Sequence, residues 1–209
     1  MRRSLALAEH ADDRGGQAHT HYVFTWVWQR LGDDQQALAH ALQALQLFEA
    51  IDDPVGKAVA LNATGWHHAR LGNYDQALGS CEQALTLARQ HDNGDCEADA
   101  LKSLGFIAHH TGRNADAVGS YRTELQIRQD IGDMYEEANA LDHLAQAHAL
   151  LSHHRDATHL WRRAGLLPSR SVTSPLRHAR STRSRRLVRR EGTKNRQRPT
   201  LSNRCGCTG

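Results

Sequence analysis

Histidine is the residue type with the most chemistry to offer in this sequence, since 15 of the 209 residues are histidines. Two imidazoles can hold a metal ion from one helix face when they lie four residues apart. Several histidines occur instead as adjacent pairs, which diverge by roughly 100° around a helix, and His143 and His148 lie five apart. At a separation of four residues, His110 is paired with Asn114 and His154 with Thr158, and neither asparagine nor threonine is a good second ligand. The spacing therefore predicts no metal site.

Catalytic motifs are a second kind of chemistry, and the sequence contains none of the common ones. It has no Gly-x-x-x-x-Gly-Lys-(Ser/Thr) phosphate loop, no Gly-x-Ser-x-Gly turn and no His-Glu-x-x-His helix. Its acidic pairs Asp33-Asp34, Asp52-Asp53 and Glu136-Glu137 stand where helices are predicted to begin. Acids at those positions cap backbone amides and complement the helix dipole. We therefore expect a protein that is not an enzyme and needs no cofactor.

Three large aromatic residues recur at a spacing of 40 residues, namely Trp26, Trp66 and Phe106. The same period aligns Leu31-Gly32 with Leu71-Gly72, and it places four residues of a later position in step: Ala44, Ala84, Glu124 and Ala164. Self-similarity at such a period indicates a repeat architecture, in which each unit buries its apolar face only against its neighbours.

Each 40-residue unit is predicted to form two helices joined by a short turn. In the second unit, apolar and small residues recur at helical spacing over residues 57–71 and again over 74–90. Gly72-Asn73 separates the two helices, because glycine accepts the left-handed conformation at a helix C-terminus. Small residues share one position of the first helix, where two helices are predicted to approach closely: Gly65, Gly105 and Ala145. The predicted fold is all-α.

This pattern resembles the tetratricopeptide repeat. The family's series of apolar, small and aromatic positions is matched in the second unit by Leu61, Gly65, Gly72, Tyr74, Ala77, Cys81 and Ala84-Leu85. The period exceeds the usual 34 residues, and it resembles the longer subtype found in C-terminal regions of actinobacterial regulatory proteins and NB-ARC-type signalling ATPases. The resemblance implies a right-handed superhelix, a solenoid of helix-turn-helix repeats.

The repeat register divides the chain into six segments. Residues 1–13 would be the second helix of a preceding repeat, residues 14–53, 54–93, 94–133 and 134–165 would be repeats 1 to 4, the last incomplete, and residues 166–209 an Arg/Ser-rich tail. Neither end has the polar cap that a repeat array usually carries. We therefore expect that the chain is a fragment of a longer regulator and that its ends are prone to self-association.

The tail differs from the repeats in charge. Residues 1–165 carry 14 Lys and Arg against 22 Asp and Glu, a balance of −8, whereas residues 166–209 carry 12 against one, a balance of +11. Few bulky apolar residues remain in the tail, so it is expected to be disordered. Three interpretations stay open: a solvated or out-of-frame tail, an arm that binds nucleic acid, and a contact for an acidic protein or membrane surface.

Localisation is predicted to be cytoplasmic. No run approaches the roughly 18 apolar residues of a membrane-spanning helix, and the N-terminus has too short an apolar stretch for a signal peptide. The four cysteines, Cys81, Cys96, Cys205 and Cys207, do not form a disulfide framework.

In the resembled family, the first helix of each repeat lines a concave groove that holds a peptide or a helix. The resemblance implies that the following residues of this sequence face the groove: Tyr22, Trp26, Gln29, Arg30, Asn62, Trp66, Arg70, Lys102, Phe106, His109, His110, Asp142 and Gln146. The aromatic residues at the shared repeat position either face the groove or pack against the adjacent helix. Among the same positions, four basic side chains either meet acidic groups of a partner or are merely solvated: Arg30, Arg70, Lys102 and His110.

The sequence therefore predicts a protein–protein interaction module. The resemblance implies the sensor or scaffold segment of a bacterial signalling or transcriptional regulator, with a protein or peptide partner of unknown identity. Nucleic-acid binding through the tail and a truncated, non-functional remnant are the alternatives.

Overall fold

A computed structural model describes residues 6–8 and 10–167. Residues 6–8 and 10 are helical, and eight longer helices follow: α1 (Arg14–Leu31), α2 (Asp34–Ala50), α3 (Pro54–Arg70), α4 (Tyr74–Gln90), α5 (Gly94–His110), α6 (Asn114–Ile131), α7 (Met134–Leu150) and α8 (His154–Leu166). No strand occurs in these residues, so the all-α prediction is confirmed there. Helix α8 continues one residue into the predicted tail, whose remainder and predicted disorder lie outside the described residues.

The helices begin at polar caps that the sequence supplies. The carboxylates of Asp33 and Asp53 accept hydrogen bonds from the backbone N–H groups of Gln36 and Gly56, at 3.0 and 2.9 Å. Asp133 caps α7 in the same manner. A cap of this kind satisfies one of the first four amides of a helix, which have no partner within the helix. Helix initiation therefore explains Asp33, Asp53 and Asp133, whereas Asp34, Glu136 and Glu137 pair with side chains of neighbouring helices.

The turns between helices also repeat every 40 residues. Each turn from a first to a second helix contains one residue with positive φ, such as Gly72 at 85°, and each turn back contains another, such as Asp92 at 51°. Glycine adopts this left-handed region at little cost, and aspartate tolerates it better than most residues. The prediction that Gly72 ends a helix in this conformation is confirmed.

Close helix approach depends on glycine at the position that Gly65 occupies. A Cβ atom there would stand 2.9 Å from the backbone oxygen of Ala77 on α4 and would also overlap the sulfur of Cys81. At the same position of the next pair, a Cβ on Gly105 would overlap the ring of Tyr121 on α6. The predicted contact between the two helices of a pair is therefore present.

The core is a series of small apolar clusters, each shared between adjacent helices. One cluster joins Ala69 of α3, Ala77 and Cys81 of α4 and Ile107 of α5. Successive helices pack on one another, and α3 also packs directly on α5. This stacking of pairs is the solenoid that the repeat period predicts.

Candidate functional site

The first helices of the four pairs, α1, α3, α5 and α7, form one layer, which we call the A layer. The Ser103 hydroxyl of α5 donates a hydrogen bond to Asn62 Oδ1 of α3 at 2.9 Å. Between the next two helices of the layer, α5 and α7, Lys102 Nζ lies 3.7 Å from Glu136 Oε2. Polar and charged side chains therefore connect neighbouring first helices directly.

Tyr22 lies on α1, in the A layer, and is half-buried. Burial raises the pKa of the Tyr22 hydroxyl, a hydrogen bond with Trp26 opposes the rise, and the charge of Asp99 adds to it. Tyr22 lies on α1 and Asp99 on α5, with α3 between them in the stack.

Aromatic rings cross from α3 to α5 along this layer. The ring centroids of Trp66 and Phe106 are 4.9 Å apart, and the Phe106 ring lies 3.9 Å from that of His110. Tyr74, the first residue of α4, continues the series at 6.4 Å from His110. These four residues are called the aromatic stack. Its members at positions 66 and 106 are half-buried, so they contact each other and still present part of their surface.

Trp26 occupies the same repeat position as Trp66 and Phe106, but its side chain is more exposed to solvent. Its side chain is 49% exposed, and its ring meets the Tyr22 ring edge-on at 6.2 Å. The two interpretations from the sequence thus apply to different rings: Trp66 and Phe106 pack on each other across adjacent helices, whereas Trp26 offers half of its surface to solvent.

Three of the four predicted basic contacts already have partners within the protein. Arg70 Nε donates to Asp34 Oδ1 of α2 at 2.7 Å, and Lys102 Nζ lies 2.8 Å from Asp99 Oδ1. His110 Nδ1 lies 2.9 Å from the carbonyl oxygen of Phe106 on its own helix. Arg30 is exposed.

Asp34 connects α2 to α3 through two partners. Partial burial would raise the pKa of its carboxyl, but hydrogen bonds and charge from Arg70 and His67 outweigh burial and hold the pKa below its usual value. His67 is buried, which lowers its pKa despite the nearby Asp34 carboxylate. This arrangement fixes the first pair to the second and leaves Arg70 committed to an internal ion pair.

A group of charged side chains, which we call the ionic cluster, surrounds the buried Glu124 and Arg128 of α6 and extends to α7. It consists of Asp95, Asp99, Lys102, Glu124, Arg128 and Glu136. Arg128 of α6, only 3% exposed, donates to Asp95 Oδ1 at 3.1 Å and to Asp99 Oδ1 at 2.6 Å. Burial works to lower the pKa of Lys102, but the charges of Asp99 and Glu136 outweigh it and raise the pKa.

Glu124 is the most unusual member of the ionic cluster. It is fully buried, and neither of its carboxylate oxygens has a hydrogen-bond partner among the described residues. Burial raises the pKa of its carboxyl to about 8, even though Lys102 and Arg128 act in the opposite direction. Near neutral pH the side chain is therefore largely protonated and uncharged.

The remaining predicted groove residues fall into two groups. Asn62, Gln29, His109 and Gln146 are half-buried. Asp142 is buried, and its carboxylate accepts hydrogen bonds from Trp161 Nε1 at 3.0 Å and from Gln146 Nε2 at 3.1 Å. The geometry thus brings the aromatic positions together and directs Asp142 toward the interior of the fourth pair.

Sequence reasoning missed Glu124 and Arg128 as members of the site. The available signal was the repeat register itself, because Glu124 stands where the other pairs have Ala44, Ala84 and Ala164. A charged residue at a position that is otherwise alanine predicts either a surface position or a buried charge with specific partners. The structure buries Glu124 within the electrostatic influence of Lys102 and Arg128, but its carboxyl oxygens have no hydrogen-bond partner among the described residues.

Comparison with known proteins addresses the fold. Residues 27–90 match the family model described as tetratricopeptide repeat. The kinesin light chain nearly identical TPR-like repeats from Podosopora anserina superimpose with a TM-score of 0.65 and 13% identity, covering 85% of this chain and 88% of that one. No curated protein sequence matches the chain.

Two signalling proteins have a similar fold over part of their length. Aspartyl phosphate phosphatase F from Bacillus subtilis has a TM-score of 0.66 and 13% identity, covering 73% of this chain and 40% of that one. A signal transduction ATPase with numerous domains, with a tetratricopeptide repeat sensor, from Pyrococcus horikoshii has a TM-score of 0.60 and 18% identity, covering 73% and 24%. The chain thus spans less than half of either protein, and at these identities the likeness concerns the fold.

These comparisons confirm the tetratricopeptide repeat for residues 27–90 and the predicted solenoid fold. The fold is one that generally serves as a non-enzymatic scaffold for protein partners. Among the described residues, no helix is long and apolar enough to cross a membrane. The predicted nucleic-acid contact concerns residues that are almost all outside the described part of the chain.

Proposed function

Because the chain contains tetratricopeptide repeats, we propose that the concave face of its A layer binds an extended peptide or a helix from a partner protein. Within this proposal, the chain is the sensor or scaffold segment of a bacterial signalling or transcriptional regulator and acts in the cytoplasm. The likeness to two signalling proteins supports the regulatory role through the fold alone.

The observation that carries the proposal is the aromatic surface of the A layer. Trp26 is half-exposed on α1, and the aromatic stack continues the same repeat position across α3 and α5. Large rings held by a rigid scaffold offer much apolar contact area at low entropic cost, and aromatic residues dominate the energy of protein interfaces. The expected ligand therefore presents apolar side chains at regular intervals.

The charges of the repeats indicate which net charge the bound peptide should carry. Arg70 and Lys102 are held by acidic groups of the protein itself, so they are poor sites for acidic side chains of a ligand. Asp95 is likewise paired, with Arg128, but residues 1–165 together carry a balance of −8. Long-range attraction therefore favours a neutral or basic peptide over an acidic one.

Peptide selection followed by matched variants tests this proposal. Peptides would be selected from a random display library on the full chain, and their affinities measured for the parent, for Trp26→Ala and for Leu42→Ala. Leu42 is the control because it is 39% exposed on α2, outside the A layer. We expect at least tenfold weaker binding by Trp26→Ala, about 1.4 kcal/mol, and unchanged binding by Leu42→Ala.

Equal affinities for the parent and Trp26→Ala, with circular dichroism showing both folded, would contradict binding at the A layer. Salt dependence separates the nucleic-acid alternative, because binding of phosphates by many arginines weakens steeply as salt rises. Peptide binding through apolar rings is expected to change little between 50 and about 200 mM salt.

A further inference from the structure

Three side chains with metal-binding atoms converge where the fourth helix pair turns. His148 lies in the last turn of α7, His153 immediately precedes α8, and Asp156 lies in the first turn of α8. One ligand atom of each lies within 4.8 Å of the others. In the described part of the chain this is the one place where three such groups meet so closely.

The distance between the two imidazoles suits a tetrahedral metal ion. Nδ1 of His148 and Nδ1 of His153 are 3.3 Å apart. Zinc binds imidazole nitrogen at about 2.0–2.1 Å, and two ligands of a tetrahedral ion at that distance are separated by roughly 3.3–3.4 Å. The two nitrogens therefore have the separation of a zinc-bound pair without movement of either ring.

The combination is specific to this turn. At the corresponding positions the third pair has Ala108, Arg113 and Asp116, and the second pair has His68, Asn73 and Gln76. The His153 side chain makes no capping hydrogen bond to α8, as is also the case for Asn73 and Arg113 at the same position of the second and third pairs. His153 differs from these two in its contact with a second imidazole, that of His148.

We propose that His148, His153 and Asp156 form a binding site for a divalent zinc ion, with a fourth position open to water. Two imidazoles and one carboxylate are ligand types that zinc accepts. The ion would link the end of α7 to the start of α8 and so stabilise the terminal helix pair. The site is on the loop side of these helices and does not depend on peptide binding by the A layer.

Zinc titration of the full chain with matched variants tests the site. Metal-free protein under reducing conditions would be titrated with zinc chloride by calorimetry, and its Tm recorded with and without zinc. The variants are His153→Ala, Asp156→Asn and, as a control, His154→Ala, which removes an exposed histidine next to the site. The difference between parent and variant cancels any binding by the other histidines or by Cys205 and Cys207.

We expect His153→Ala to lose one equivalent of bound zinc and the zinc-dependent rise in Tm, while helicity is retained. Asp156→Asn should bind at least tenfold more weakly, and His154→Ala should behave like the parent. Equal stoichiometry for the parent and His153→Ala would overturn the proposal, and so would an equal loss of zinc in His154→Ala.

Discussion

The second and third helix pairs have the same backbone plan but different interiors. Both place a glycine where the two helices meet, and both place an aromatic ring on the A layer. Beneath these shared positions, α4 has the fully buried Ala84 and Ala88, whereas α6 has Glu124 and Arg128. The geometry of a repeat is therefore set by a few small residues, and other buried positions can exchange apolar for ionic contacts.

The difference has an energetic consequence. Burial of alanine and cysteine in the second pair removes apolar surface from water, which stabilises the fold. Burial of charges in the third pair carries a desolvation cost that specific partners only partly offset. We therefore expect the third pair to respond strongly to changes in charge and in pH, and the second pair to respond to changes in volume.

The largest effect is expected from removal of the buried cation. Arg128→Met keeps much of the side-chain volume but leaves Asp99 without its guanidinium partner, and we expect a loss of about 3 kcal/mol of unfolding free energy. Addition of Glu124→Leu should recover at least half of that loss, because it removes a buried carboxyl group that has no hydrogen-bond partner among the described residues and makes the interior resemble the apolar second pair. Urea denaturation of the single and double variants measures this coupling.

A double variant no more stable than Arg128→Met alone would contradict the view that the buried carboxyl group of Glu124 carries a desolvation cost.

In the second pair, the sensitive feature is volume. Gly65→Ala places a methyl group 2.9 Å from the Ala77 carbonyl oxygen, and overpacking of this kind should cost about 2 kcal/mol. Gly79→Ala, on α4 with no atom within 4 Å of the new methyl group, should stabilise the protein by about 0.5–1 kcal/mol, because alanine favours the helix. Denaturation midpoints of both variants test the comparison, and equal effects would show that close approach is unimportant.

The pH dependence of stability should distinguish the third pair. Because burial raises the pKa of Glu124 from 4.5 to about 8, the folded state binds more protons than the unfolded state between those values. Its contribution to stability is present in full below about pH 4.5 and is lost as the pH rises through about 8. The Glu124→Gln variant keeps the shape of the side chain but cannot ionise, so its stability has no such dependence on pH at this position.

We expect the Tm of Glu124→Gln to be close to that of the parent at pH 5 and about 5 °C higher at pH 8. The difference between the two proteins is the useful quantity, because buried histidines such as His67, whose pKa is lowered, make both proteins more stable as the pH rises through about 6.5. A Tm difference that is constant from pH 5 to 8 would show that Glu124 keeps an ordinary pKa.

Local pattern was sufficient to predict the helical fold. The 40-residue period, the polar residues before helices and glycine at a left-handed turn each depend on near neighbours in sequence, and the structure confirms them at Asp53 and Gly72. The close approach at Gly65 was also predictable, since a small residue recurs at that position in each of three repeats.

The candidate site was harder to predict because its contacts join residues far apart in sequence. Arg70 of the second pair meets Asp34 of the first over 36 residues, and Arg128 meets Asp95 within the third pair over 33 residues. Which charges are satisfied therefore depends on how the helices pack. The proposed zinc site could not be predicted for a different reason. A search for imidazoles four apart on one helix does not detect His148 and His153, which lie on either side of a turn.

Photo-cross-linking of a selected peptide tests the central claim most directly. A peptide obtained on the full chain, with a benzophenone group at an apolar anchor position, would be irradiated on the parent protein and the cross-linked residues identified by mass spectrometry. The proposed groove predicts cross-links to the A layer, on α1, α3 and α5, near Trp26, Trp66 and Phe106. Cross-links confined to α2, α4 and α6, or to residues 168–209, would contradict it.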